Sequence, residues 1–175
     1  MVERQLRRRG ITDERILEAM ARVPRELFVP TELRAHAYDD AALPIGEGQT
    51  ISQPFVVATM LTLLRPQPGE RALDVGTGSG YAAGLLATLG AVVTGIERIP
   101  VLAERARRAL TAAGIEGVEV RVGDGRLGAP DRAPFDLVAV AAATERVPPA
   151  LVEQLAQGGR LVLPRRDDWG QELVL

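Results

Sequence analysis

The sequence predicts a doubly wound α/β fold with a mostly parallel central sheet, preceded by an extension of helices and loops. Three observations predict it. Short apolar runs recur from Arg71 onward, at 71–75, 91–96, 118–122, 135–140 and 159–163. Runs such as Leu137-Val138-Ala139-Val140 are apolar throughout and do not alternate, as in strands covered on both faces. Helical stretches at 80–89, 99–113 and 147–156 separate them. Alternating β and α units of this length build a parallel sheet with helices on both sides.

Taken in order, the extension begins with Ile11, Ile16, Leu17, Met20 and Val23 at helical spacing. Thr12 is the expected N-cap, and Asp13 and Glu14 stand in the first turn, where the helix dipole favours acids. Pro24 and Pro30 break the pattern. Residues 38–53 carry Pro44, Gly46 and Gly48 and no period, and are read as a functional loop. A helix is expected over 54–64, with Pro54 at its first position. The alternating region follows, and a short strand at 171–175 closes the chain. Residues 1–175 are expected to form one domain, with 1–65 the helical and substrate-loop region and 66–175 the cofactor-binding α/β core.

Composition limits the chemistry. The 175 residues are 46% hydrophobic and 25% charged, with a net charge of -2, as for a globular chain with a substantial core. The mild acidity gives no general attraction to nucleic acid or anionic membrane. Arg7-Arg8-Arg9 is read as a solvated helix end. The 21 basic residues are all arginine, which points to a GC-rich genome, with heat adaptation the alternative. With no cysteine, disulfides and thiolate nucleophiles are excluded. The single histidine, His36, has no nucleophile elbow near it and is read as a surface or packing residue. No apolar run reaches the roughly 20 residues that span a bilayer, and Met1-Val2-Glu3-Arg4 does not open a signal peptide, so a cytoplasmic location is expected. No metal is expected.

The main motif is Leu73-Asp74-Val75-Gly76-Thr77-Gly78-Ser79-Gly80, between a strand and a helix. Its glycines let the backbone turn tightly and approach a ligand with no Cβ in the way. The spacing is GxGxG, where dinucleotide sites carry GxGxxG. Glu97 ends the second strand, and an acid there can accept hydrogen bonds from both ribose hydroxyls. Gly123-Asp124-Gly125 follows the third strand, where Asp124 could meet an adenine amino group or merely form a turn. All three motifs fall at carboxyl ends of strands, where open α/β sheets bind ligands. Together they describe an adenosine site on a Rossmann-like sheet.

LDVGTGSGY, Glu97 and the GDG turn resemble the motifs of class I S-adenosylmethionine-dependent methyltransferases. The resemblance implies S-adenosyl-L-methionine as cofactor, leaving as S-adenosyl-L-homocysteine. Asp74, Gly76, Thr77, Gly78 and Gly80 would hold its methionine end, Glu97 its ribose, and Asp124 and Gly125 its adenine.

The acceptor is narrowed by what is missing. No Asn/Asp-Pro-Pro-Tyr motif follows strand four, where Ala141-Ala142-Ala143-Thr144 stands, and no general base is evident. A carboxylate acceptor fits, being ionised at pH 7 already, so the enzyme need only position it and strip water from it. Leu43-Pro44-Ile45-Gly46-Glu47-Gly48-Gln49-Thr50-Ile51-Ser52-Gln53-Pro54 resembles the PIGxGQTISQP segment of protein-L-isoaspartate O-methyltransferases. Val23–Pro30, Glu97-Arg98-Ile99, Ala133–Asp136 and Gly158–Pro164 extend the resemblance over essentially the whole chain. It implies methylation of isoaspartyl carboxylates in damaged proteins and peptides. Ser52 would be the catalytic residue, with Thr50, Ile51 and Gln53 shaping the substrate pocket. Ser52 could equally be the N-cap of the helix behind it. Against this family, the chain is expected to be truncated, or a natural short form of lower activity, lacking a final strand and cover. An exposed sheet edge would then allow a dimer, with a monomer the default. Another small acid or hydroxyl acceptor, or an inactive cofactor-binding form, are the alternatives.

Overall fold

The computed structural model describes residues 1–142, 146–167 and 170–175. Strands β3 (Arg71–Val75), β4 (Val92–Glu97), β5 (Val118–Val122), β6 (Phe135–Val140), β7 (Leu155–Asp167) and β8 (Gly170–Val174) form one sheet in the order β5-β4-β3-β6-β7-β8. All neighbours are parallel except β7 and β8, which pair antiparallel. The chain winds outward from β3 to β5, then crosses back to β6. The carboxyl ends of β3 and β6 therefore lie side by side, with Val75 in register with Val140, and the sheet's topological switch point falls between them.

Side chains alternate across each strand, so the sheet divides the core in two. Ala72, Val93 and Leu137 face a large cluster with the N-terminal extension and helices α1 (Glu14–Arg22), α2 (Pro54–Leu64), α3 (Tyr81–Thr88) and α4 (Pro100–Ala112). Leu73, Ile96 and Val138 face a smaller cluster with Ala129 and with Leu151 of α5 (Pro149–Glu153). Among the described residues no helix is long and apolar enough to cross a membrane.

Several local expectations are corrected. The N-cap of α1 is Asp13, whose side chain accepts from the Arg15 N–H, and not Thr12. The stretch 38–53 is not all loop: β1 (Leu43–Gly46) and β2 (Gln49–Ile51) form an antiparallel hairpin with an irregularity between Pro44 and Gly46. The helix expected over 147–156 is only five residues long, because Leu155 already enters β7 opposite Phe135. Residues Val2–Leu6 form a wide π-helical turn and Arg7–Arg9 a tight 3₁₀ turn ahead of α1. Arg7 there pairs with Glu3 and Glu14, and Arg9 pairs with Asp40 and lies over the Phe55 ring. His36 is exposed, with Nδ1 2.9 Å from an Asp39 carboxylate oxygen.

Candidate active site

The loop after β3 is shaped by its glycines. Gly76, Gly78 and Gly80 all have positive φ, and the N–H groups of Gly76 and Thr77 donate to the Ile96 carbonyl at 2.8 and 3.1 Å. These bonds clamp the loop to the end of β4. A Cβ on Gly78 would stand 3.3 Å from Cδ1 of Ile45, on β1, so the hairpin presses directly on the loop. Gly80 gives up its Cβ to Ala106 of α4, which lets α3 start close against its neighbour. The Thr77 hydroxyl donates to the Asp74 carbonyl at 3.0 Å, and a Cβ on Gly95 would lie 2.6 Å from that hydroxyl oxygen.

Three acids stand at the strand ends in different states. Asp74 is 1% exposed beneath the loop, and its Oδ2 has no hydrogen-bond partner. Burial pushes its carboxyl up to about 7; the Thr77 hydroxyl opposes the rise and the Glu97 charge adds to it. Glu97 is also buried, but both its oxygens are engaged: Oε2 accepts from the Gly78 N–H and Oε1 from the Ile99 N–H, each at 2.9 Å. A carboxylate oxygen has two lone pairs, so each keeps acceptor capacity. Asp124 caps the short turn Gly125–Leu127, and the Arg126 side chain and backbone N–H hold its carboxyl down at about 2. The plain-turn reading of Asp124 is thus part of its role.

A cleft of about 520 Å³ opens at the switch point. Gly76, Gly78, Glu97, Asp124 and Gly125 line one side, and Thr50 and Ser52 from the hairpin line the other. Seven predicted residues thus meet in one cavity. Asp74, Thr77 and Gly80 lie behind the loop as its support. Ile51 is buried in the core at 4% exposure, and Gln53 donates through Nε2 to the Asp40 carbonyl. Gln53 is also the N-cap position of α2, and that helix has no side-chain cap bond. The N-cap reading of Ser52 is therefore corrected. Ala143 and Thr144 lie outside the described residues.

The sequence reading missed part of the lining. Val140 ends β6, Ala141 and Ala142 follow it, and Pro148 and Leu151 come from the start of α5. Arg98 and Arg126 stand at the rim, Arg126 paired with Asp124. The signal was available in principle: β6 neighbours β3 in a doubly wound sheet, so its carboxyl end must face the glycine loop. A larger open groove of about 940 Å³ runs on the other side of the hairpin, past Phe28, Arg34, Leu102 and Arg105. It contains none of the predicted residues, so size alone does not identify the site.

The comparisons with known proteins agree with this geometry. The family model described as protein-L-isoaspartate(D-aspartate) O-methyltransferase matches residues 1–175. A protein-L-isoaspartate O-methyltransferase of Methanoculleus marisnigri is 53% identical over 99% of this chain and 79% of its own length. One of Methylorubrum populi is 56% identical over 99% of this chain and 82% of its own length. A solved structure from Plasmodium falciparum, a candidate member of the same family in complex with S-adenosyl-L-homocysteine, superposes with a TM-score of 0.85 at 28% identity. It matches over 98% of this chain and 86% of that one. The sheet order, the glycine loop facing Glu97, and the match along the full length point the same way: this chain belongs to the protein-L-isoaspartate(D-aspartate) O-methyltransferase family.

Proposed function

We propose that the chain transfers a methyl group from S-adenosyl-L-methionine to the free carboxylate of L-isoaspartyl residues in damaged proteins and peptides. The observation that carries the reading is the single cleft in which the glycine loop and Glu97 face Thr50 and Ser52. It joins a nucleoside-type site to an exposed strand edge that can hold an extended peptide.

The residues present fit the cofactor. Asp74 Oδ2 is a buried acceptor with no partner, directly under the loop, and suits the ammonium of the methionine end. Glu97 keeps lone pairs for ribose hydroxyls, and Asp124 with Gly125 borders the adenine side. A Cβ on Gly125 would meet Val75 Cγ1 at 2.6 Å, so the adenine side is floored tightly by β3. When bound, the cofactor supplies a sulfonium-activated methyl group.

The protein's part is positional. The acceptor carboxylate is already ionised at neutral pH, so no side chain need remove a proton. The Ser52 hydroxyl can donate to one carboxylate oxygen and leave the other free to attack. Thr50 and Ile51 at the end of β2 and Gln53 at the start of α2 set the main chain on both sides of Ser52. Arg98 at the rim favours an anionic acceptor. The methyl ester formed then loses methanol as the neighbouring backbone nitrogen closes a succinimide, whose hydrolysis restores a share of normal aspartyl bonds. We read residues 1–65 as the acceptor side and 66–175 as the cofactor side of one domain, acting in the cytoplasm as a monomer.

Labelled methyl transfer to an isoaspartyl peptide, with the aspartyl isomer as control, tests the reading. Label on the isoaspartyl peptide alone is expected. Equal labelling of both, or of neither, would overturn it.

A further inference from the structure

Arg25 is unusual among the chain's arginines: it is fully buried, at 0% exposure, and no carboxylate pairs with it in the described contacts. Its Nε donates to the Ala37 carbonyl and its Nη2 to the Ser52 carbonyl, each at 2.7 Å. Its Nη1 has no partner. The guanidinium carbon lies 4.7 Å from the ring centroid of Tyr81, the first residue of α3, immediately after Gly80. Tyr81 is itself 1% exposed, with an unpartnered hydroxyl, and meets Phe28 edge-on at a centroid distance of 5.5 Å.

A buried guanidinium is costly unless its N–H groups are satisfied. Here the cost is met only in part, by backbone carbonyls from two separate segments and by an aromatic face from a third, while Nη1 stays without a partner. A guanidinium cannot shed its charge, so the cost is not relieved by deprotonation. Burial pulls the guanidinium below its ordinary range and pushes the Tyr81 hydroxyl up to about 12, which keeps that neighbour neutral. Simple packing would be met by Leu or Met at lower cost. The planar fork does what they cannot: it fixes the distance between a carbonyl on the acceptor turn and the residue that starts the helix after the cofactor loop.

We infer that Arg25 is a positioning residue for methyl transfer, holding the Ser52 turn at a set distance from the cofactor loop through the Ser52 carbonyl and the Tyr81 ring. This rests on the acceptor role proposed for Ser52. Arg25 touches neither cleft nor ligand; it acts by holding the Ser52 main chain while the hydroxyl points to substrate. Methyl transfer needs the attacking oxygen, methyl carbon and sulfur in line, and a misplacement of about 1 Å can cost about a hundredfold in rate.

The test compares Arg25→Met and Arg25→Lys, each alone and combined with Ser52→Ala. Turnover and KM are measured for an isoaspartyl peptide, S-adenosyl-L-homocysteine affinity by calorimetry, and melting on the same samples. Arg25→Met is expected to lower kcat at least about tenfold and raise the peptide KM, while cofactor affinity stays within about twofold. Arg25→Lys keeps the charge and one of the two carbonyl bonds and should recover part of kcat. In the Ser52→Ala background, Arg25→Met should cost far less than in the wild type, because the group it positions is gone. Unchanged kcat and KM in a folded variant, or the same loss in both backgrounds, would overturn the inference. So would failure of both variants to fold, which would make Arg25 a folding residue. A wild type inactive on the peptide would instead fail the proposed function, and an active Ser52→Ala with normal kcat would fail the acceptor assignment.

Discussion

The carboxylate of Glu97 accepts a hydrogen bond from the Gly78 N–H at 2.9 Å, so the acid at the tip of β4 orders the loop after β3 before any ligand arrives. Its other oxygen holds the Ile99 N–H at the start of the next turn. One side chain thus ties both the glycine loop and the start of α4 to the end of β4.

Glu97→Ala should therefore weaken S-adenosyl-L-homocysteine by about 2–4 kcal/mol, through loss of charge-assisted bonds and of loop order together. Isothermal calorimetry reads this directly. Unchanged affinity would place the ribose elsewhere.

Gly78→Val should abolish cofactor binding in a protein that remains folded by circular dichroism. At φ +54 a β-branched residue is strained, and its Cβ would sit 3.3 Å from Ile45 Cδ1. The strained loop and the two added methyl groups, on a residue that lines the cleft, are expected to displace the cofactor. Normal binding by this variant would reduce the loop to a turn.

Ser52→Ala separates chemistry from capping. Because the N-cap position of α2 is Gln53 and carries no side-chain cap bond, melting should shift by less than about 0.5 kcal/mol, as for other substitutions that remove no buried contact. Single-turnover methylation of an isoaspartyl peptide at saturating cofactor should fall by about tenfold or more. A melting shift with normal turnover would leave the acceptor to the loop backbone.

Asp74 gives a pH dependence whose sign is fixed by its burial. Its carboxyl is raised from 3.8 in the unfolded chain to about 7 in the fold, so the native state binds the proton more tightly. Its contribution to stability is fully present below about pH 4 and is lost as pH rises to about 7. A cationic methionine end favours the ionised form, so S-adenosyl-L-homocysteine affinity should rise with pH up to about 7 and then level, with a proton released below that point. Calorimetry from pH 5.5 to 8 in two buffers of different ionisation enthalpy measures both. Asp74→Asn should flatten the profile; a slope that persists in this variant would assign the titration to another group.

The central sheet was legible because β3, β4 and β6 are buried on both faces and leave mostly apolar runs that do not alternate. Helix α2 was legible from Pro54 at its start and ends at Leu64, as read. The β1–β2 hairpin was not. It has seven strand residues, two of them Pro44 and Gly46, and its turn runs through Glu47 and Gly48, both at positive φ. No periodicity can develop over so short a span. The site was legible where a motif sits on one strand end, as at Gly76–Gly80 and Glu97. It was not legible where the wall comes from β6 and α5, since Val140 and Leu151 are ordinary apolar residues made important only by sheet order. Arg25 was invisible for a related reason: its partners are main-chain carbonyls at positions 37 and 52, which leave no trace in side-chain pattern.

The contact between Gly95 and Thr77 constrains how related sequences can diverge. A methyl group at position 95 would fall 2.6 Å from the Thr77 hydroxyl oxygen but 3.4 Å from its Cβ. Because the Thr77 γ-methyl would also stand at 3.2 Å, alanine at 95 is tolerated only once the side chain at 77 is cut back to alanine, while alanine at 77 is tolerated beside either residue. The two substitutions have a permitted order, 77 before 95, and the reverse order passes through a protein whose glycine loop is displaced. Lineages that retain the hydroxyl should be held to glycine at 95 even though that residue touches no ligand.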